Sequence, residues 1–163
     1  MSSEAAPDDT PALAALRAAG IDHRVVTTVP ARGPEESAQL QGIDLGQLIR
    51  TIVVRRAVDD YLFVLVPGGR RFSWPKLRAH LGTSRLSLPD ADEALAVTGY
   101  ERGAITPFGA ARAWPVIADA SILEREAVAI GGGRRGLNVH LRPVDLIAAS
   151  AAVVIDVTEA EAA

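Results

Sequence analysis

The chain has 163 residues, 48% hydrophobic but only 4% aromatic, so it is one domain long and must fill its core with Val, Ile, Leu and Ala. Seventeen Lys and Arg against twenty Asp and Glu leave a net charge of −3, which excludes a broad cationic face that grips nucleic acid by phosphate neutralisation alone, but not contact with one RNA end. The absence of cysteine excludes disulfides, thiolate catalysis and Cys-ligated metal together.

Met1 to Asp9 is small, polar and acidic. With no basic or apolar region it reads as a disordered tail over 1–9, not a signal peptide. Thr10-Pro11 opens a helix whose apolar stripe is Leu13, Leu16 and Ala19, ended by Gly20. The β-branched run at Val25–Val29 predicts a strand within 21–29. A short helix is expected over Pro34–Gln41, and another turn or two over Leu45–Ile49. Thr51–Arg56 and Tyr61–Val66 around Asp59-Asp60 read as a β-hairpin. The longest apolar run, Tyr61–Pro67, is far short of the ~20 residues that cross a bilayer, so a cytoplasmic protein without a membrane partner is expected.

Ser73-Trp74-Pro75 opens a helix through Leu81, closed by Gly82, and Asp90–Val97 is another. Thr98–Ala113 carries Gly99, Gly103, Pro107 and Gly109, which predicts a shaped loop. Strands are expected at Val116–Asp119, Ala127–Ile130 and Leu137–Leu141, then a helix from Pro143 to Ser150 and a last strand at Val153–Val157. Helices and strands intersperse, but several strands adjoin through short turns. The pattern is α+β: a single domain with a mixed β-sheet flanked by helices.

Two segments have the composition of a binding site. Gly99–Gly109 places three glycines and a proline in a short loop able to present backbone N–H groups to a carbonyl or oxyanion. Gly131-Gly132-Gly133-Arg134-Arg135-Gly136 sets bare backbone beside two guanidinium groups, which suits a phosphate or a terminal ribose. From the residues alone, a tight connection and a solvated turn explain these segments more simply. His23, His80 and His140 show no metal-ligand spacing, and His140 shares the polar face of its strand with Asn138 and Arg142. There is no P-loop, dinucleotide fingerprint or nucleophile elbow. No cofactor and no metal are expected.

In this order, Asp44 to Val54 (with Arg50 inside it), the loop Gly103–Pro107 and the turn Gly131–Gly136 resemble the YbaK/EbsC family of aminoacyl-tRNA deacylases, relatives of the prolyl-tRNA synthetase editing domain. The likeness runs over roughly Pro11 to Ser150. It implies a YbaK-like editing domain over 10–158 that acts in trans on a mischarged tRNA, a proline-type tRNA carrying a wrong small amino acid. The partner is then the aminoacyl-tRNA 3′ end, with a synthetase as a second candidate partner and no DNA. The resemblance assigns catalysis to Arg50, Gly103 and Pro107. Substrate binding falls to Gly99, Ala104, Ile105, Thr106, Gly131, Gly132, Gly133 and Asn138. Because the chain is acidic overall, only local arginines can meet phosphates, and RNA contact is expected at Arg134 and Arg135, with Arg70 and Arg71 as lesser candidates. The family usually has lysine where Arg50 stands, often a polar residue at Gly131, and commonly an acid at Asn138. A catalytically silent module that binds an aminoacyl group or a tRNA 3′ end is the alternative.

Overall fold

A computed structural model describes residues 9–161. Thr10 caps helix α1 (Pro11–Ala18), its Oγ1 accepting from the Leu13 N–H at 3.2 Å. Strand β1 is Arg24–Thr27 and helix α2 is Pro34–Gln41. A 3-10 turn at Leu45–Gln47 runs straight into β2 (Leu48–Ala57), which returns as β3 (Asp60–Pro67). The helix turns expected to reach Ile49 stop earlier because Leu48 and Ile49 are drawn into a ladder with Ala129 and Ile130.

After β3 come β4 (Arg70–Phe72), α3 (Trp74–Leu81) and α4 (Ala91–Thr98). Gly82 and Gly99 close the two helices in left-handed backbone, where glycine carries no Cβ penalty. Then follow β5 (Val116–Asp119), β6 (Val128–Gly131), β7 (Leu137–Leu141), α5 (Pro143–Ser150), β8 (Val153–Ile155) and β9 (Thr158–Ala160).

Seven strands form one mixed sheet in the order β1-β7-β6-β2-β3-β5-β8. Pairings β1/β7, β7/β6 and β2/β3 are antiparallel, whereas β6/β2, β3/β5 and β5/β8 are parallel. One face packs Ile49, Val53, Phe63 and Ile130 with Leu13 and Leu16 of α1 and Leu146 of α5. The other packs Val54, Leu62, Val64 and Val66 against Leu77 of α3. The expected α+β domain with a mixed sheet is therefore the fold.

The sequence gives no hint of β4 and β9, which pair with each other. They are held by Lys76, whose Nζ donates to both Asp156 oxygens at 3.0 and 2.9 Å and to the Thr158 carbonyl at 2.7 Å. Buried Asp119 accepts from the Val157 N–H at 2.9 Å beneath them. The last sheet strand is shorter than expected because Asp156 leaves β8 for these contacts. A 3-10 helix at Ala120–Glu124 is likewise unforeseen. The tail expected over 1–9 lies, except for Asp9, outside the described residues.

Candidate functional site

The site arises where the sheet forks. β2 pairs with β3 along almost its whole length, but with β6 only at Leu48↔Ala129 and Ile49↔Ile130. The Gly68 N–H donates to the Leu48 carbonyl at 2.8 Å, which fixes the phase of the β2/β3 ladder. Alternate residues of an antiparallel strand point their backbone groups to opposite sides. Thr51 and Val53 therefore turn their N–H and C=O groups away from β3, into the gap that β6 leaves. Farther along, Ser87 meets Arg55 in a reciprocal pair at 2.8 and 3.1 Å and closes that end. A cleft of about 690 Å³ opens in the fork.

Register puts Arg50 on the sheet face that carries Gly131 and Asn138, because Ile49 is level with Ile130 and Gly131 with Asn138. All three line the cleft. Arg50 is exposed, and its guanidinium makes no hydrogen bond or ion pair among the described residues. Asn138 is nearly buried, its amide donating to the Val26 carbonyl at 3.3 Å. Thr51 contributes a hydroxyl that is buried without a hydrogen-bond partner among the described residues, at the strand position where the ladder fails.

The two glycine segments meet over this fork. A Cβ built on Gly131 would lie 3.5 Å from the Ile105 carbonyl oxygen, so the loop rests on the turn. Gly103 adopts φ +92°, and the Arg135 guanidinium packs against it while donating to the Arg102 carbonyl at 3.2 Å. The Ala104 N–H is taken by the Glu101 carbonyl at 3.0 Å. The N–H groups of Gly103 and Ile105 have no partner among the described residues.

Of the residues expected at the site, Arg50, Gly103, Ile105, Gly131, Arg134, Arg135 and Asn138 share the cleft wall. The others stand behind it. Gly99 ends α4, Ala104 and Thr106 are buried, and Pro107 follows them outside the wall. Gly132 builds the turn, its N–H bonded to the Leu137 carbonyl at 2.8 Å and its carbonyl accepting from Thr10 Oγ1 at 2.6 Å. Gly133, at φ +97°, has Tyr100 packed where a Cβ would go. Arg70 and Arg71 serve the β4–β9 pair: Arg70 bonds Thr158 Oγ1 at 2.6 Å and Arg71 faces Glu159 at 3.4 Å. Sequence reasoning missed Thr51 and Val53 of β2, Ser37 of α2, and the apolar end formed by Pro89 and Ala94. Thr51 lies inside the motif that drew attention to Arg50, but only the strand pairing shows that its backbone is unpaired.

Five of the sixteen arginines line the cleft, namely Arg32, Arg50, Arg102, Arg134 and Arg135, and no carboxylate, histidine or tyrosine is part of that wall, although Arg32 pairs with Glu36 at 3.8 Å. An acidic protein thus concentrates positive charge at one opening, which draws anions to it. The N–H groups of Thr51 and Val53 turn into the same gap. Among the described residues no three His, Asp or Glu side chains come together as metal ligands.

This architecture is that of a known family. Residues 28–149 match the family model of the aminoacyl-tRNA editing domain, and the chain belongs to that family. It is 27% identical over 139 residues to the multifunctional Ser/Thr-tRNA deacylase ProXp-y of Escherichia coli, 83% of each chain. It is 23% identical over 127 residues to the candidate Cys-tRNA(Pro)/Cys-tRNA(Cys) deacylase EbsC of Enterococcus faecalis, covering 78% of this chain and 77% of that one. A proline–tRNA ligase of Thermosipho melanesiensis is 29% identical over 125 residues, 77% of this chain but only 22% of the ligase. Against larger synthetases of this kind, the chain spans about a fifth of their length. The crystal structure of a candidate trans-editing enzyme for prolyl-tRNA synthetase superposes with a TM-score of 0.87 at 25% identity, over 96% of this chain and 99% of that one.

Proposed function

We propose that the chain, over residues 10–158, is a trans-acting aminoacyl-tRNA deacylase that hydrolyses the ester of a mischarged tRNA in the cytoplasm. Its substrate is a proline-type tRNA bearing a wrong small amino acid. The observation that carries this reading is the forked cleft: an arginine-rimmed opening with unpaired backbone donors inside and bare glycine on two sides. The relatives named as deacylases act on Cys-, Ser- or Thr-tRNA, all small side chains, which is the ground for a small amino acid here.

An aminoacyl ester is already activated, so placing it beside a water and stabilising the oxyanion is enough. Arg50 holds the RNA end by its charge. The N–H groups of Gly103 and Ile105 are the donors available to the oxyanion. Water adds to the ester carbonyl, the bond to the ribose oxygen breaks, and that oxygen leaves as a hydroxyl. The wall supplies no general base, so the water's proton passes to solvent or to the substrate itself. Pro89, Ala94 and Val53 narrow the apolar end and favour small side chains by sterics. A prolyl-tRNA synthetase is the natural second partner, since it generates the substrate.

The lack of an acid–base side chain in the wall also favours a second reading, a silent module that binds an aminoacyl group or RNA end without turnover. Deacylation measured over a panel of mischarged tRNAs decides between them. Release of amino acid from a proline-type tRNA supports the enzyme. Binding without release on every tRNA supports the module.

A further inference from the structure

One polar chain outside the motifs ends in the cleft. On β1, Arg24 stands opposite His140 of β7, and its Nη2 lies 3.4 Å from His140 Nδ1. His140 Nε2 lies 2.9 Å from Gln41 Oε1. Gln41, nearly buried at the end of α2, places its Nε2 2.9 Å from Ser37 Oγ one helical turn earlier. Ser37 lines the cleft.

The proton positions along this chain follow from its first member. Arginine carries donors only, so Nδ1 accepts and the ring proton sits on Nε2. Nε2 then donates to Gln41 Oε1, which fixes the amide orientation. Burial, and after it the Arg24 charge, push the His140 pKa below its ordinary 6.5, which keeps the ring in this neutral form at neutral pH. The Gln41 amide nitrogen donates in turn to Ser37 Oγ. That oxygen is used as an acceptor, and its own proton is bonded to no other described residue.

We propose that Ser37 is a ligand-binding hydrogen-bond donor to a phosphate oxygen at the RNA 3′ end, held in donor polarity by Arg24, His140 and Gln41. The inference rests on the RNA-binding part of the function proposed above. A phosphate is the acceptor of choice because Arg50 lines the same wall with no hydrogen bond or ion pair among the described residues, and no carboxylate lines that wall; Arg32, also there, is shared with Glu36 at 3.8 Å. Ser37 is the binding residue; Gln41 and His140 are positioning residues that never touch the ligand.

The test is calorimetric titration with the 5′-phosphorylated trinucleotide pCpCpA. Ser37→Ala should weaken binding about tenfold, the worth of a hydrogen bond to a charged acceptor, while Ser37→Thr keeps most of it. Alanine favours the helix at this position, so loss of fold does not confuse the result, and a thermal melt checks it. Gln41→Glu is the sharper variant. A carboxylate cannot donate, so Ser37 must turn its proton inward, and binding should fall as far as in Ser37→Ala. Made in the Ser37→Ala background, Gln41→Glu should cost less than about twofold more, because the proton it withdraws is already gone. Equal cost in both backgrounds would mean that the new charge acts at a distance, and the relay is wrong. Unchanged binding in Ser37→Ala, or no binding of pCpCpA by the wild type, overturns the inference outright. Binding that follows this pattern in a protein that deacylates no tRNA leaves Ser37 as assigned and removes only the hydrolytic reading.

Discussion

Ile105 rests its carbonyl oxygen over Gly131, 3.5 Å from where a Cβ would stand, and this contact joins the two glycine segments into one wall. Gly131 is not among the glycines with positive φ, whereas Gly103 is at +92°. The two should respond differently to the same change. Gly131→Ala is expected to leave stability within about 1 kcal/mol, because 3.5 Å is ordinary contact. Gly131→Val should reduce kcat/KM by crowding the cleft. Gly103→Ala should cost about 1–2 kcal/mol of stability from backbone strain, and its side chain must in addition displace the Arg135 guanidinium, 3.3 Å away. Urea unfolding and deacylation on the same three variants check both halves. A Gly103→Ala protein as stable as the wild type contradicts the account of the loop.

Arg50 faces the same opening with its guanidinium unpaired among the described residues. Arg50→Ala should cost ester hydrolysis ~1.5–3 kcal/mol, roughly ten- to a hundredfold, the worth of one charge-assisted hydrogen bond. Stability should barely change, because no intramolecular pair is lost. Arg50→Lys should keep or raise activity by restoring the smaller cation common in the family. Single-turnover hydrolysis of a mischarged tRNA measures all three proteins. Equal rates for the wild type and Arg50→Ala would remove Arg50 from the mechanism.

The elements with strong local signals were legible in the sequence. Thr10-Pro11, Ser73-Trp74-Pro75 and Pro143 open helices where expected, and α2 and β7 match their expected bounds. β4 and β9 were not legible, because three residues rich in Arg and Glu carry no apolar alternation. Their pairing depends on Lys76 reaching a carboxylate 80 positions away. The site divides in the same way. Glycine-rich composition located both segments of the wall, but composition does not separate a glycine that lines the cleft, such as Gly131, from one that lets the chain turn, such as Gly132. Thr51 and Ser37 were missed because their roles depend on where a ladder stops and on which side chain packs below them. Neither is a local property.

His140 sets an acid limb of stability. Its folded pKa lies below 6.5, through burial first and Arg24 second, so the unfolded chain takes up the proton before the native one. Stability from this residue is complete above 6.5 and is lost as pH falls from there through the folded value. His140→Gln should flatten urea midpoints across mildly acidic pH. The limb from Asp156, whose pKa the Lys76 hydrogen bond lowers below 3.8, has the same sign but lies at more acid pH and should remain. Hydrolysis should show no enzyme-derived pKa near neutrality in either protein, because no titratable side chain other than arginine lines the cleft. A midpoint profile in His140→Gln identical to that of the wild type would place the proton uptake elsewhere.

RNA affinity should depend steeply on salt although the protein is acidic overall, because its positive charge is gathered at one opening. Arg134 and Arg135 lie on the turn that forms part of that rim. For single-stranded RNA the logarithm of the binding constant falls with the logarithm of salt by about 0.7 per phosphate neutralised. Replacing both arginines by alanine should therefore lessen the slope by about 1.4 if each meets one phosphate. Arg71→Ala is the control. That residue is of the same type and exposed, but it faces Glu159 across the β4–β9 pair, and its loss should leave the slope as it was. Fluorescence anisotropy of a labelled CCA-ended RNA over a salt series gives all three slopes. An unchanged slope in the double variant would assign Arg134 and Arg135 to the packing of the turn, as the contact of Arg135 with the Arg102 carbonyl already suggests in part. The phosphates would then have to be met by Arg32, Arg50 and Arg102 on the remaining wall.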